Sequence, residues 1–244
     1  MATAKDRQSL AVWEEFHKSL LRGVEVDNSL TRQDIERQRA QLERDPIEWI
    51  KFFFPAYAKY EFAPFHIRAI RRVIANDEWY EVLSWSRELA KSTVAMFILM
   101  FLTLTRRKRF VALASATIDS AKRLLLPFKI NFESNPRIRQ FYGEQTTIGQ
   151  WTDSEFSCRC GAKFIALGAG SAPRGMRNEA IRPDILYFDD YDTDEDCRNP
   201  VTLDKKWDWA EHALYPTRSI SEPTLVLWCG NIIAKDCCIT RAGH

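Results

Sequence analysis

The chain has 244 residues, of which 45% are hydrophobic and 28% charged, and its 8 Trp, 7 Tyr and 15 Phe residues exclude a mainly disordered chain. Its formal net charge of +2 excludes a strong overall field, so any contact with a polyanion depends on local clusters of basic residues. The longest apolar run, Val94–Leu102, is about half the roughly 20 residues that a membrane-spanning helix needs. Because the N-terminus also has no apolar leader, we expect an intracellular protein outside the membrane.

The order of apolar patterns predicts the fold class. Residues 1–45 are polar and charged with helically spaced apolar positions, which predicts a helical extension. In residues 46–244, short apolar runs alternate with helical patterns. The predicted elements are helix Pro64–Ile74, strand Tyr80–Trp85, helix Ser92–Thr105, strand Arg109–Thr117, helix Ile118–Phe132, hairpins over Tyr142–Leu167, strand Asp184–Asp189, helix Asp204–Tyr215 and strand Thr224–Cys229. This alternation predicts an α/β domain with a mainly parallel sheet covered by helices.

The segment between the first predicted strand and the long apolar helix has the character of a phosphate-binding loop. It reads SRELAKST over Ser86–Thr93, which places Lys91 and Ser92 at the start of the helix. Such loops bind phosphates through backbone N–H groups and a lysine, and a hydroxyl contacts Mg²⁺. Ser86 and Ala90 occupy positions where these loops usually have glycine. The alternative is an ordinary strand–turn–helix with an incidental Lys-Ser pair.

A second motif, Ile185–Asp190 (ILYFDD), is a hydrophobic strand followed by two carboxylates, as in a Walker B motif. The carboxyl end of a strand delivers Asp189 to the edge of the sheet beside the phosphate loop, where it can hold Mg²⁺, usually through water. Asp190 can then orient the attacking water, and Asp192 is an alternative base. The competing interpretation is a strand that runs into a solvated acidic turn, because the following residues YDTDED are also acidic.

Four segments in this order resemble the large terminases of phages, the ATPase motors that package viral DNA into procapsids. The loop Ser86–Thr93 is similar to the deviant Walker A motif of that family, and Gly170–Asp190 resembles the run into its Walker B motif. Leu225–Asn231 (LVLWCGN) resembles its coupling motif. Phe62 and His66 resemble its adenine-contacting segment, with His66 where the family often has Gln. The resemblance covers roughly residues 46–235.

This resemblance implies a P-loop NTPase fold of the additional-strand type and the hydrolysis of ATP with Mg²⁺. It implies metal contacts from Ser92 and Asp189, and sensing of the γ-phosphate by Gly230 and Asn231. The implied ATP-binding residues are Phe62, His66, Ser86, Arg87, Glu88, Leu89, Ala90, Lys91, Ser92 and Thr93. On this interpretation the side chain of Lys91 faces solvent in the empty cleft, so that its replacement leaves core packing almost unchanged.

The resemblance also implies the partners of the chain. They are double-stranded viral DNA, the portal protein and the small terminase subunit, with copies of the chain forming a homo-oligomeric ring, a pentamer, on a procapsid in the host cytoplasm. The nuclease domain of the family would begin after His244, so the chain resembles the N-terminal portion of a longer protein. We therefore expect no nuclease activity from these residues.

Several arginines are further candidates. Arg87 lies within the phosphate loop, where the family has a sensor of the γ-phosphate that acts in cis. Arg174 and Arg177 are candidates for an arginine finger that enters a neighbouring subunit. The run Arg106–Arg109 is interpreted as a cation cluster that complements the dipole at a helix C-terminus, and not as a contact to DNA. The alternative for these residues is solvated surface charge, with Arg87 paired to Glu88 or to an aspartate.

Two other functions remain open from the sequence. A helicase-like ATPase stimulated by nucleic acid would share both Walker motifs. A nucleotide-regulated scaffold that binds portal or DNA without turnover is favoured by the missing glycines of the loop. Measured hydrolysis of ATP separates the scaffold from both enzymes, and stimulation by procapsid and portal separates the terminase from the helicase.

Overall fold

The computed structural model describes residues 14–15, 17–19, 21–173 and 181–243, and it confirms the predicted α/β class with a mainly parallel sheet. The strands are β1 (Trp79–Leu83), β2 (Phe110–Ser115), β3 (Glu155–Ser157), β4 (Lys163–Gly168), β5 (Ile185–Asp189) and β6 (Leu225–Cys229). The helices are α1 (Arg32–Leu42), α2 (Pro46–Phe53), α3 (Pro64–Ala75), α4 (Lys91–Leu104), α5 (Ile118–Ser134), α6 (Pro136–Tyr142), α7 (Asp194–Cys197), α8 (Pro200–Asp208) and α9 (Cys238–Ala242). Among the described residues, no helix is both long enough and apolar enough to cross a membrane.

The topology of the sheet brings three distant parts of the chain to one edge. The strand order is β1-β6-β5-β2-β4-β3, so β6 lies between β1 and β5. All neighbouring strands are parallel except β3, which pairs antiparallel with β4. Leu83 of β1 and Asp189 of β5 are both in register with Cys229 of β6. The residues that follow these three positions therefore meet at the carboxyl edge of the sheet.

The strands that end at this edge lie in the core of the domain. Every residue of β2, β5 and β6 is buried, as expected for a parallel sheet that is covered on both faces. Helix α4 is buried continuously from Val94 to Leu104. Its only polar side chain in that stretch, Thr103, donates its hydroxyl to the carbonyl of Leu99 (2.7 Å). Helix α4 is thus part of the core along most of its length, from its second turn to its end.

Helix α1 is attached to the surface of the domain. It has no buried residue, and Thr31 and Asp34 form a capping box at its start. Arg39 donates a hydrogen bond to the carbonyl of Phe141 at the end of α6 (3.1 Å). The polar composition of this part of the chain is explained by this exposed position.

Two predicted segments differ from the structure. The prediction of hairpins over Tyr142–Leu167 is confirmed in part, since β3 pairs antiparallel with β4 and an antiparallel bridge joins Trp151 to Phe156, whereas residues 142–150 form no strand. Strand β4 also pairs in parallel with β2 and is mostly buried, so its apolar pattern is that of an interior strand. The helix predicted at Asp204–Tyr215 begins at Pro200 and continues as a π-helix over Trp209–Leu214.

Candidate functional site

A cavity of about 610 Å³ opens at the carboxyl ends of β1, β6 and β5. Three segments border it: the loop after β1 with the start of α4, the loop after β5, and the residues after β6. The predicted site residues in its lining are Arg87, Glu88, Ala90, Lys91, Ser92, Thr93, Asp190, Gly230 and Asn231. Three motifs that are far apart in the sequence therefore share one cavity.

The loop before α4 has a backbone conformation that normally requires glycine. Its residues Ser86–Ala90 are exposed, and Glu88 and Ala90 have φ values of 66° and 55°. A residue with a side chain costs on the order of 1 kcal/mol in this left-handed region. Ala90 thus adopts a glycine-like conformation at the position where the sequence lacks glycine. Helix α4 starts at the next residue without a side-chain cap, so its first-turn N–H groups remain available at the cavity.

The prediction that Lys91 faces solvent is wrong. Lys91 is only 8% exposed, because the loop folds back and presents its carbonyls to the ammonium group. The ammonium donates hydrogen bonds to the carbonyls of Trp85 (2.7 Å) and Ser86 (3.0 Å) and to Oδ1 of Asn231 (2.9 Å). All three acceptors are neutral, so no carboxylate of the described residues neutralises this buried positive charge. The ammonium is therefore an attractive point for an anion.

Asp189 lies at the end of β5 and is fully buried. Its Oδ2 accepts a hydrogen bond from the hydroxyl of Tyr187, whereas Oδ1 has no hydrogen-bond partner among the described residues. Burial raises the pKa of Asp189 to about 7, and the hydroxyl groups of Tyr187 and Ser92 act in the opposite direction. A buried acceptor oxygen without a donor is costly, and a cation would satisfy it.

The residues present fit a Mg²⁺ ion that is shared with a bound ligand. Mg²⁺ in phosphate sites usually takes one or two protein oxygens and fills its remaining positions with water and phosphate oxygens. The hydroxyl of Ser92, which lines the cavity, and the buried, unpartnered Oδ1 of Asp189 behind it are oxygens of this kind. In the described part of the chain, no three His, Cys, Asp or Glu side chains are grouped so that they could hold a metal alone. The donor set therefore fits an ion that needs ligand phosphates as well.

Asp190 and Asp192 differ in what their carboxylates contact. Asp190 is exposed, has a φ of 44° and donates its N–H to the carbonyl of Cys229 (3.2 Å). Its carboxylate lines the cavity and makes no hydrogen bond within the described residues. Both oxygens of Asp192 are occupied, because they accept the N–H groups of Cys238 (3.1 Å) and Ile239 (3.0 Å) at the start of α9. Asp192 thus caps a helix, and Asp190 is free to contact a ligand.

Gly230 and Asn231 connect the end of β6 to the loop after β1. The N–H of Gly230 donates to the carbonyl of Leu83 (3.3 Å). A Cβ at Gly230 would lie 2.9 Å from Cδ1 of Ile239, so glycine permits the close approach of α9. Asn231 then reaches Lys91 through the hydrogen bond described above. One direct contact therefore joins the start of α4 to the segment after β6.

Four predicted ATP-binding residues do not line the cavity: Phe62, His66, Ser86 and Leu89. His66 contacts the loop itself, with Nε2 3.0 Å from the carbonyl oxygen of Leu89. Its ring also packs on Trp85, with ring centroids 5.2 Å apart. Phe62 packs against the hydrophobic core. Phe62 and His66 therefore do not border the cavity, and His66 instead contacts the loop before α4 from outside it.

Of the three predicted arginines, the structure describes only Arg87. Arg87 is exposed and lines the cavity. No carboxylate of the described residues forms an ion pair with it, so the alternative pairing with Glu88 is not observed. Arg174 and Arg177 lie outside the described residues.

Sequence analysis missed several contributors to the site, of which Tyr187 and Ile239 are examples. Tyr187 is two residues before Asp189 on a strand, so the two side chains lie on one face of β5, and this period-2 spacing could have identified it. Ile239 lines the cavity from α9, beyond the range that the resemblance covers. No pattern in the sequence links α9 to β5, because the capping contact of Asp192 joins residues 46 positions apart.

No known family model matches the chain, and no curated protein matches it. The cavity itself supplies the strongest functional information. Among the described residues, it combines a buried lysine without an ion-pair partner at a helix start and an exposed carboxylate without a hydrogen-bond partner. The buried carboxyl of Asp189 does not line the cavity and lies behind it at the end of β5.

Proposed function

We propose that the chain is a Mg²⁺-dependent ATPase of the additional-strand P-loop type, the motor domain of a phage large terminase that translocates double-stranded viral DNA into a procapsid. The observation that carries the proposal is the meeting of Lys91, Asp190 and Asn231 in one cavity at the start of α4. Transfer of a phosphoryl group requires a phosphate cradle, a cation and a group that orients water within one cleft.

The strand order supports the additional-strand type. In that type an extra strand separates the strand before the phosphate loop from the strand that carries the Walker B acid. Strand β6 has this position between β1 and β5. Adjacent strands are about 4.8 Å apart, so the ends of β1 and β5 are separated by about 10 Å. This gap has room for phosphates and a cation.

The residues of the cavity have complementary roles in the proposed reaction. Lys91, Arg87 and the first-turn N–H groups of α4 bind the phosphates. Ser92 and Asp189 would hold Mg²⁺, which would supply positive charge to neutralise the phosphate oxygens. Asp190 orients the attacking water, because its carboxylate lines the cavity and is unoccupied. Asp192 is the weaker candidate for this role, since both its oxygens cap α9.

The contact between Lys91 and Asn231 supports a role in coupling. Phosphate oxygens are charged acceptors and bind an ammonium group more strongly than a carbonyl or an amide does. A bound triphosphate therefore draws Lys91 away from Asn231, whose Oδ1 now accepts its hydrogen bond (2.9 Å). In the proposed motor, this exchange reports the presence of the nucleotide to the segment after β6.

A scaffold that binds nucleotide without turnover is the second candidate. The observation that favours it is the satisfied state of Lys91, whose three hydrogen bonds must be broken before it binds a phosphate. The missing glycine is a weaker argument, because Ala90 already has the left-handed conformation that the loop requires. A helicase-like ATPase would use the same cavity. It would be stimulated by nucleic acid alone and would not require the portal protein.

The remaining parts of the proposal concern partners. They are the viral DNA, the portal protein, the small terminase subunit and neighbouring copies of the chain in a pentameric ring. Arg174 and Arg177 are the proposed trans-acting arginines of that ring. Stimulation of ATP hydrolysis by procapsid and portal, beyond that by DNA alone, is the result that distinguishes this motor from a helicase.

Steady-state phosphate release from ATP with Mg²⁺ tests the enzymatic proposal. Asp190→Asn should lower turnover by about two orders of magnitude or more while leaving nucleotide binding near normal, because it removes the group that orients water. Asp194→Asn is the matched control, since Asp194 also lines the cavity and is exposed. Equal turnover in the two variants would exclude Asp190 as the catalytic acid. Binding without turnover in the wild type would favour the scaffold.

A further inference from the structure

A second cavity, of about 560 Å³, lies at the opposite edge of the sheet, where β2 and β5 begin. Arg106, Arg109 and Arg182 line it together with the hydroxyl residues Ser219 and Ser221. We propose that this arginine cavity binds phosphate groups of a ligand. It shares no lining residue with the cavity at the start of α4, so phosphate binding here does not depend on whether the chain is an ATPase.

The first observation is the backbone of Arg106. It follows the last residues of α4 with a φ of 60°. Helices often end with a left-handed residue at this point, and that residue is usually glycine because a side chain is disfavoured there. Arg106 is exposed and makes no ion pair with any described residue. Stability alone therefore does not explain an arginine at this position.

The second observation is that Arg107 and Lys108, in the middle of the run Arg106–Arg109, already have partners within the chain. Arg107 forms an ion pair with Asp77 (2.9 Å). Lys108 is buried and donates hydrogen bonds to the carbonyls of Asp77 and Pro223. These contacts anchor the loop between α4 and β2. The interpretation of the run as a helix-terminal cation cluster thus leaves Arg106 and Arg109 without a role.

The third observation concerns the acids that could neutralise the arginines. The oxygens of Asp184 accept the backbone N–H groups of Arg109 (2.9 Å) and Phe110 (2.8 Å), which fixes the start of β2 beside β5. Glu222 is exposed at the rim. Within the described ranges, Arg106, Arg109 and Arg182 have no carboxylate partner. The cavity therefore presents three guanidinium groups without an ion-pair partner in the described part of the chain, although Asp184 and Glu222 also line it.

These features match the chemistry of phosphate. A guanidinium group presents paired donors that fit two phosphate oxygens, and serine hydroxyls add neutral donors. Because the three arginines are exposed, the phosphate of a large ligand has access to them. A nucleic-acid backbone and a free polyphosphate carry the same group, and binding experiments distinguish these two sources.

The test uses the full chain with two probes. Duplex DNA binding is measured by fluorescence anisotropy at several salt concentrations without nucleotide. Pyrophosphate binding is measured by calorimetry in a Lys91→Ala background, which removes the lysine of the first cavity. The cavity variant combines Arg106→Gly, Arg109→Ala and Arg182→Ala. The matched control combines Arg32→Ala, Arg68→Ala and Arg198→Ala, which removes the same charge from exposed positions elsewhere.

We expect the cavity variant, but not the control, to lose affinity for at least one probe by about tenfold or more. If DNA is the source, the slope of log K against log salt should also fall by roughly 2–3, since each lost phosphate contact contributes about 0.9. Arg106→Gly alone should raise Tm while it weakens binding, a combination that a structural role does not produce. Equal affinities of the cavity variant and the control for both probes would overturn the proposal.

Discussion

Replacing Asp189 with Asn tests the electrostatic state of the buried carboxyl at the end of β5. Burial raises the pKa of Asp189 from 3.8 to about 7. Between these pH values the folded chain keeps a proton that the unfolded chain has released. The contribution of this group to stability therefore falls as the pH rises from about 4 to about 7. Asparagine does not titrate, so the variant lacks this loss.

The magnitude follows from the difference in pKa. About 3 units correspond to roughly 4 kcal/mol, at 1.36 kcal/mol per unit, and about 2–3 kcal/mol of this falls between pH 5 and pH 8. Asparagine can still accept the hydroxyl hydrogen bond of Tyr187, but its buried NH₂ group lacks an acceptor and costs about 1–3 kcal/mol at every pH. The stability of the variant relative to the wild type should therefore rise by about 2–3 kcal/mol from pH 5 to pH 8.

Urea unfolding at pH 5, 6.5 and 8 measures this difference, with EDTA present and nucleotide absent. Asp194→Asn is the control, because its exposed side chain should follow the wild type at all three pH values. A difference between Asp189→Asn and the wild type that stays constant with pH would refute the reasoning. It would mean that Asp189 is already ionised in the ligand-free fold.

Three other changes have defined outcomes. Ala90→Gly should raise the free energy of unfolding by about 0.5–1 kcal/mol in urea titrations, since φ is 55° there. Lys91→Ala should lower it by about 1–3 kcal/mol, because three acceptors lose their donor. Iodoacetamide should modify Cys160 faster than Cys197 at pH 7.5, as followed by peptide mass spectrometry. Hydrogen bonding by Cys158 lowers the pKa of Cys160 to about 7, whereas burial raises that of Cys197 to about 11.

The parts of the fold that sequence could predict are those with a strong local pattern. Continuous apolar runs identified β5 and β6, and the long buried helix was assigned within a residue of its bounds at Lys91 and Leu104. The order of these elements was enough to predict that the loop Ser86–Thr93 and the two carboxylates Asp189 and Asp190 meet at one edge of the sheet. The assignment of β4 to a hairpin is confirmed by its antiparallel pairing with β3, but its parallel pairing with β2 was missed because it carries no local signal.

The contacts within the site were less predictable, because they depend on groups that carry no sequence signal. Lys91 was expected to face solvent, and the structure shows it bound to backbone carbonyls of its own loop, which every residue type provides. The capping role of Asp192 depends on the placement of α9, which lies far along the chain. Sequence pattern identifies which residues can do chemistry, whereas the packing decides which of them are free to do it.

Equilibrium binding of a non-hydrolysable ATP analogue with Mg²⁺, measured by calorimetry, tests the central claim most directly. The wild type should bind one equivalent, and Lys205→Ala, a control at an exposed lysine on α8, should bind equally well. Lys91→Ala should lose detectable binding under conditions in which circular dichroism shows that it remains folded, because it removes the buried ammonium group at the start of α4. Undiminished binding by Lys91→Ala, or none by the wild type, would contradict the assignment of this cavity to a nucleotide.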